Sequence, residues 1–240
     1  MKIGLWNIDH PELSSGVARK ENRFGEVVRY LERADCDLLI LTEANAAMKL
    51  VGYSAEFSEA SPFRSSQRYY GTPNLYHQVG IYSRSPLRRL EVSEAVNGVL
   101  CEVPWGDRLL QVYGNVITIK DRWKKDSEKT YKDRLREQLA AIESLPPALV
   151  LVGGDFNLSQ GWTQSLAAHT QVKYLVDRLP LVWPTELRDD TVQHVLHSPD
   201  LKASIEIDFS VRHVKGGERR LSDHPFFAIT IEPSWETEPD

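Results

Sequence analysis

Short apolar runs recur along the chain and alternate with polar stretches. Each run is rich in Val, Ile, Leu or aromatic side chains, which is typical of β-strands. We predict seven strands, in the runs KIGLWNI, DLLILTE, HQVGIYS, LLQVYGNVITI, ALVLVGG, IEIDFSV and FFAITIE.

Three stretches between these runs place apolar residues at helical spacing. They are ENRFGEVVRYLERA, SEKTYKDRLREQLAAIESL and WTQSLAAHTQVKYLVDRL. Ser127 can cap the second helix, and Pro146-Pro147 ends it. Strands with interleaved helices and no clear linker predict one α/β (α+β) domain over residues 1–232, followed by an acidic tail, 233–240, that we expect to fray.

The charge balance bears on the class of partner. Lys and Arg number 29 against 34 Asp and Glu, so the formal net charge is -5. This does not favour a protein that coats nucleic acid non-specifically, although a local basic patch is compatible with it. Two cysteines are too few for a disulfide framework. No run reaches the roughly 18 apolar residues of a membrane span. We expect a cytoplasmic protein and assume a monomer.

Polar side chains that can carry chemistry fall at the ends of four predicted strands. They are Asn7, Glu43, Asp155, Asn157, Asp223 and His224. Groups at strand ends can converge at one edge of an α/β sheet. Asn, Asp and Glu oxygens suit Mg²⁺, whereas a single His is too few for a typical zinc site.

Each of these residues also has an ordinary structural explanation when taken alone. GGDFN can be a turn with an Asx cap, and Glu43 can be the first solvated residue of a loop. Asn7 can satisfy an edge-strand backbone group, and SDH can be a cap followed by an exposed His. Asp208 differs, because a carboxylate within an apolar strand requires a partner such as His224 or an Arg.

The order WNI, LTE, GIYSRSPL, GGDFN, IDF and SDH resembles the endonuclease/exonuclease/phosphatase superfamily from Lys2 to about Ile231. GGDFN and SDH are its most specific parts. The resemblance implies the deoxyribonuclease I-like fold, a four-layer sandwich of two packed mixed β-sheets flanked by helices. It also implies a hydrolase of phosphoesters that uses Mg²⁺ or Mn²⁺.

The resemblance further implies a role for each matching residue. Asn7 and Glu43 match the metal-proximal pair, and Asp223 a further acidic residue near the metal. Asp155 matches the residue that positions or activates the attacking water, and Asn157 the amide that holds the phosphate and that water. Asp208 matches the carboxylate that orients the final histidine. His224 matches that histidine, which contacts the scissile phosphate.

One position departs from the family pattern. Many members have a His, and some an Asn, after a central strand, where this chain has Val116. Asn115 is adjacent and lies on the opposite face if the strand is regular. Tyr113 and Asn115 are candidate substrate contacts, Tyr113 through a hydrogen bond to a phosphate. The departure leaves the general acid and the substrate class open.

Two stretches combine cations with aromatic side chains, as nucleic-acid contacts do. The first contains Arg64, Arg68 and Tyr69, and the second contains Trp123 and Lys124. A solvated helix start with one packed Trp explains the second stretch equally well.

Three functions follow as hypotheses. The first is a metal-dependent nuclease or broader phosphodiesterase. The second is a phosphatase or phosphodiesterase acting on a small or lipid-linked phosphoester, which the acidic net charge and Val116 favour. The third is a binding module of the same fold without catalysis, which the near-complete motif set argues against.

Overall fold

The computed structural model describes residues 1–9, 11, 18–60, 75–117, 131–145, 149–159, 166–211 and 221–235. Within these residues the chain forms eleven strands and three helices. In chain order they are β1 (Lys2–Asn7), α1 (Ala18–Ala34), β2 (Leu38–Asn45), β3 (Ser54–Phe57), β4 (Tyr76–Ser83), β5 (Arg88–Leu90), β6 (Gly98–Trp105), β7 (Arg108–Val116), α2 (Tyr131–Glu143), β8 (Val150–Asp155), α3 (Leu166–Arg178), β9 (Gln193–His197), β10 (Leu201–Asp208) and β11 (Phe226–Pro233).

The strands form two mixed sheets. The first sheet has the order β10-β11-β1-β2-β4-β3, and the second has the order β5-β6-β7-β8-β9. Each sheet contains one parallel pair, β1 with β2 and β7 with β8. The carboxyl ends of parallel neighbours lie at the same edge of a sheet, so polar residues that follow them are brought together.

Three apolar clusters hold four layers together, as predicted. The inner faces of the sheets pack through side chains such as Leu5, Ile40 and Leu151. The first sheet packs on α1 through Val27 and Leu31, which are spaced for one helical face. The second sheet packs on α2 and α3 through a third cluster. No helix among the described residues is long and apolar enough to cross a membrane.

All seven predicted strands and the three predicted helices are present. Four strands were not predicted: β3, β5, β6 and β9. β5 is short and exposed on two of its three residues, and β6 contains Glu102 and Pro104, so neither shows a clean apolar pattern. The proposed stops and caps at Ser127 and at Pro146-Pro147 lie outside the described residues.

The first residues of the predicted tail make contacts. The Ser234 amide donates to Asp200 O, at 2.9 Å. The Trp235 ring lies 6.0 Å from that of Trp105, and the Arg108 guanidinium stacks 3.9 Å above it. Residues 236–240 lie outside the described part of the chain.

Candidate active site

Asn7 joins two acidic side chains from opposite sheets. Its Nδ2 donates to Asp155 Oδ2 at 2.8 Å and to Glu43 Oε1 at 3.3 Å. Asn7 ends β1, Glu43 lies near the end of β2, and Asp155 ends β8. Asn7 is 1% exposed and Asp155 3% exposed, so the amide lies between carboxylates in a largely buried position. The structure thus brings together three of the residues predicted from the strand ends.

Two residues at the site have a backbone conformation that L residues rarely adopt. Glu43 has φ of 53° and Asn157 has φ of 52°. Such conformations cost on the order of 1–3 kcal/mol and are concentrated at functional sites. At Asn157 the turn is stabilised because its amide N–H donates to Asp155 Oδ1 at 3.0 Å. Its side-chain Nδ2 donates to Ile117 O at 2.8 Å, which fixes the carboxamide beside Asp155.

The acidic groups raise one another's pKa. Burial raises the pKa of Glu43 to about 8, and the negative charges of Asp155, Asp9 and Asp223 act in the same direction. Burial also raises the pKa of Asp155, while His224 and the hydrogen bond from Asn7 oppose that shift. A cation bound beside these carboxyl groups would favour their ionised forms and lower the pKa of each.

The segment before β11 contributes Asp223 and His224. Ser222 is buried; its hydroxyl donates to Asn7 O at 2.5 Å and accepts from the His224 amide at 3.1 Å. The Trp6 indole N–H donates to His224 O at 3.0 Å. His224 Nε2 lies 3.3 Å from Asp223 Oδ1, with side chains 18% and 63% exposed. The imidazole is therefore held at the edge of the site by its own backbone.

The predicted pairing of Asp208 with His224 is not formed among the described residues. Asp208 Oδ2 accepts from the Tyr30 hydroxyl at 2.7 Å, and Oδ1 accepts from the Ser210 amide at 2.8 Å. Burial would raise the pKa of Asp208, but these hydrogen bonds hold it below its usual value. Tyr30 projects from α1, which packs under this end of the sheet, so it reaches the carboxylate first. The expectation that Asp208 orients His224 therefore needs correction.

Val116 faces the site, whereas Tyr113 and Asn115 turn away from it. Val116 is the register partner of Asp155 and packs against the inter-sheet cluster. Tyr113 is paired with Val152, and both lie in the cluster under α2 and α3. Asn115 is paired with Gly154, so alternation along the strand directs it to that same outer face. The predicted substrate contacts of Tyr113 and Asn115 are not supported by this placement.

Arg64, Arg68, Tyr69, Trp123 and Lys124 lie outside the described residues, so their predicted substrate contacts stay predictions.

Two residues at the site were not predicted from the sequence. Arg23 donates to Ile8 O and Leu221 O, at 2.7 and 2.9 Å, and pairs with Asp9 at 3.2 Å. Gln193 is fully buried and bonds to the backbone of Asn7. Neither follows an apolar strand in a recognisable motif. The sequence offered only two signals for them, the positive charge of Arg23 in a predicted amphipathic helix and the amide of Gln193 in QHVLH.

The donor set fits a hard divalent cation. Within the described part of the chain, no three His, Cys, Asp or Glu side chains form a complete ligand set. Mg²⁺ does not need one, because it usually takes one or two carboxylates and keeps several waters. Glu43 supplies such oxygens beside the amide of Asn7. Burial and then the charge of Asp155 raise the pKa of Glu43, and a bound cation would oppose that rise by favouring the ionised carboxylate.

Comparison with known proteins bears on the family and on the fold. The sequence model of the "Endonuclease/Exonuclease/phosphatase family" matches residues 4–224. No curated protein sequence matches the chain. Among solved structures, one similar protein is a 3′ phosphatase named NExo from Neisseria, bound to a product DNA hairpin. It is 15% identical with a TM-score of 0.64, and the match covers 98% of this chain and 100% of the NExo chain.

Two further structures are similar. The catalytic domain of human Nocturnin, with a bound sulfate, is 14% identical with a TM-score of 0.63, and covers 97% of this chain and 93% of its own. A humanized TDP2 from D. rerio is 16% identical with a TM-score of 0.60, and the match covers 97% of this chain and 98% of the TDP2 chain. At these identities the structural likeness establishes the fold.

Proposed function

Because the chain belongs to the endonuclease/exonuclease/phosphatase family, whose members are phosphoester hydrolases, we propose that it is a divalent-metal-dependent phosphodiesterase. Nucleic acid is its first candidate substrate. The observation that carries the proposal is the amide of Asn7 between Asp155 and Glu43, at the edge where two sheets meet. His224 lies at the same edge, and it opposes the rise that burial causes in the pKa of Asp155.

The residues divide the chemistry among them. Glu43, with Asn7 beside it and Asp223 nearby, would hold Mg²⁺ or Mn²⁺, which supplies positive charge opposite the phosphate oxygens. Asp155 accepts the proton of the attacking water, and Asn7 fixes the carboxylate that does so. Asn157 places its carboxamide beside that water. His224 donates a hydrogen bond to a phosphate oxygen, where negative charge develops in the transition state.

Two considerations support a nucleic-acid substrate. One structural neighbour was solved with a DNA hairpin product. The stretches that contain Arg64 and Trp123 have the mixture of cations and aromatic side chains that binds nucleic acids. A small or lipid-linked phosphoester is the second candidate. Val116 favours it, because an apolar side chain faces Asp155 where many family members carry a polar one.

A substrate panel tests the proposal. It comprises single-stranded, duplex and abasic DNA, RNA, an aryl phosphodiester, an aryl phosphomonoester and sphingomyelin, each with Mg²⁺, Mn²⁺ or EDTA. We expect cleavage of DNA or RNA and of the aryl diester with either metal, and none in EDTA. Cleavage of the monoester or lipid alone would replace nucleic acid with the second candidate. A protein that cuts nothing would support a binding module instead.

A further inference from the structure

The hydrogen-bond ladder between β1 and β11 cannot continue normally at Asn7. Met1 and Ile231 exchange two backbone hydrogen bonds of 3.0 Å, and the register continues to Leu5 opposite Phe227. Such bonds recur at every second pair of an antiparallel ladder, so the next pair would be Asn7 with Pro225. Proline has no backbone N–H, and this pair cannot exchange two bonds.

The side chain of Gln193 bridges this position. Its Oε1 accepts from the Asn7 amide at 2.6 Å, and its Nε2 donates to Pro225 O at 2.7 Å. A carboxamide offers the same donor and acceptor as a peptide group, so Gln193 stands between the strands as a peptide unit would. The side chain is fully buried, and the Thr191 hydroxyl accepts its backbone N–H at 3.0 Å.

Both ends of the Gln193 bridge lie at the candidate active site. Asn7 holds Asp155 and Glu43 through its side chain, and Pro225 directly follows His224. Gln193 itself is the register partner of Asp155, on the edge strand of the other sheet. The buried side-chain amide of Gln193 therefore links three parts of the site. They are the end of β1 at Asn7, β8 at Asp155 and the segment that carries His224.

We propose that Gln193 is a positioning residue of the hydrolytic centre, which reaches from the second sheet and sets the distance between Asn7 and His224 of the first sheet. This role rests on the proposed function. Residues behind metal ligands typically change metal affinity or activity by 10–100-fold when they are replaced. Displacement of a reacting group by about 1 Å has an effect of similar size.

The test compares Gln193→Met with Gln111→Met. Methionine has nearly the shape of glutamine without its amide. Gln111 is a matched control because it is also a buried glutamine of the second sheet, and its Oε1 has no hydrogen-bond partner among the described residues. We expect Gln193→Met to lower kcat on the aryl diester at least tenfold with KM changed less than threefold. We also expect it to weaken Mn²⁺ binding, measured by electron paramagnetic resonance without substrate. Gln111→Met should leave both within twofold.

Several outcomes decide the proposal. Wild-type kcat and Mn²⁺ affinity in Gln193→Met would overturn it, as would equal losses in both variants, which would indicate general weakening of the sheet. If Gln193→Met does not fold, Gln193→Asn replaces it; this variant keeps a donor and an acceptor but is one methylene shorter, so it cannot reach both Asn7 and Pro225. A tenfold fall in kcat would then support the role, and unchanged kcat would refute it.

Failure of the proposed function is distinguishable from failure of this inference. If the wild-type protein hydrolyses nothing but Gln193→Met still weakens Mn²⁺ binding, the hydrolase is refuted and the positioning role stands. If the wild-type protein neither hydrolyses nor binds Mn²⁺, a scalar coupling between the Asn7 amide nitrogen and the Gln193 side-chain carbonyl carbon decides whether the bridge exists. Absence of that coupling would overturn it.

Discussion

Replacing His194 with glutamine should change the way in which stability depends on pH. His194 Nε2 lies 2.9 Å from Leu158 O, and its Nδ1 lies 3.2 Å from the Trp183 indole nitrogen and 3.1 Å from Thr185 Oγ1. The indole N–H can only donate, so Nδ1 accepts and the proton is on Nε2. A second proton on Nδ1 would remove that acceptor in a buried position.

The size of the effect follows from the pKa. Burial lowers the pKa of His194 from 6.5 to about 4. Because the folded pKa lies below the unfolded one, the unfolded chain binds more protons between these values. The stability due to neutral His194 is present above pH 6.5 and is lost as the pH falls to 4. The loss between pH 7 and pH 5 is about 2 kcal/mol.

Urea unfolding of wild type and His194→Gln at pH 7, 6 and 5 measures this loss. Other titrating groups, including Glu43 and Asp155, are common to both proteins, so the difference in unfolding free energy isolates His194. Whatever the variant costs at pH 7, the wild type should lose about 2 kcal/mol relative to it by pH 5. A difference that stays constant over this range would refute the assignment of a buried neutral imidazole.

Three substitutions test packing, two of them close to the site. Thr42 is buried and its hydroxyl has no hydrogen-bond partner among the described residues, so Thr42→Val should raise the unfolding free energy by about 1 kcal/mol; a lower melting temperature would contradict this. A Cβ on Gly154 would lie 1.7 Å from Asn115 O, whereas one on Gly25 in α1 would meet nothing nearer than Arg29 at 4.0 Å. Gly154→Ala should therefore lower the unfolding free energy by about 3 kcal/mol or more, whereas Gly25→Ala should raise it by about 1 kcal/mol. Equal melting temperatures for the two variants would contradict this, because they would show that β7 and β8 move apart to accommodate the added methyl group.

The elements that were predicted are those whose side chains follow a simple periodicity. Leu38 to Leu41 and Leu149 to Val152 are continuous apolar runs, and each became a buried strand. β9 was missed because its buried residues include Gln193, His194 and His197. The side-chain groups of Gln193 and His194 bond to backbone atoms of Asn7, Pro225 and Leu158, which are distant in the sequence, and no local pattern reveals such partners.

The same distinction applies to the candidate site. Asn7, Glu43 and Asp155 lie at or near the ends of apolar strands. Parallel pairing of β1 with β2 brings Asn7 beside Glu43, and packing of the two sheets brings Asp155 to Asn7. The hydrogen-bond partner of Asp208 depended instead on the packing of α1 against the sheet. Tyr30 of α1 donates to Asp208, where His224 was expected. Gln193 could not be predicted, because its role depends on a proline 32 residues away that interrupts a ladder.

The most direct test of the central claim is Mg²⁺-dependent hydrolysis of the aryl diester by wild type, Glu43→Gln, Asp155→Asn and Glu102→Gln. Glu102 is a control, since it is a buried carboxylate paired with Arg88 in another part of the second sheet. The account predicts turnover in wild type and Glu102→Gln that EDTA abolishes. Turnover should fall at least a hundredfold in the other two variants, and the Mg²⁺-induced rise in melting temperature should be lost in Glu43→Gln. Undiminished hydrolysis by Glu43→Gln and Asp155→Asn, or hydrolysis that persists in EDTA, would contradict it.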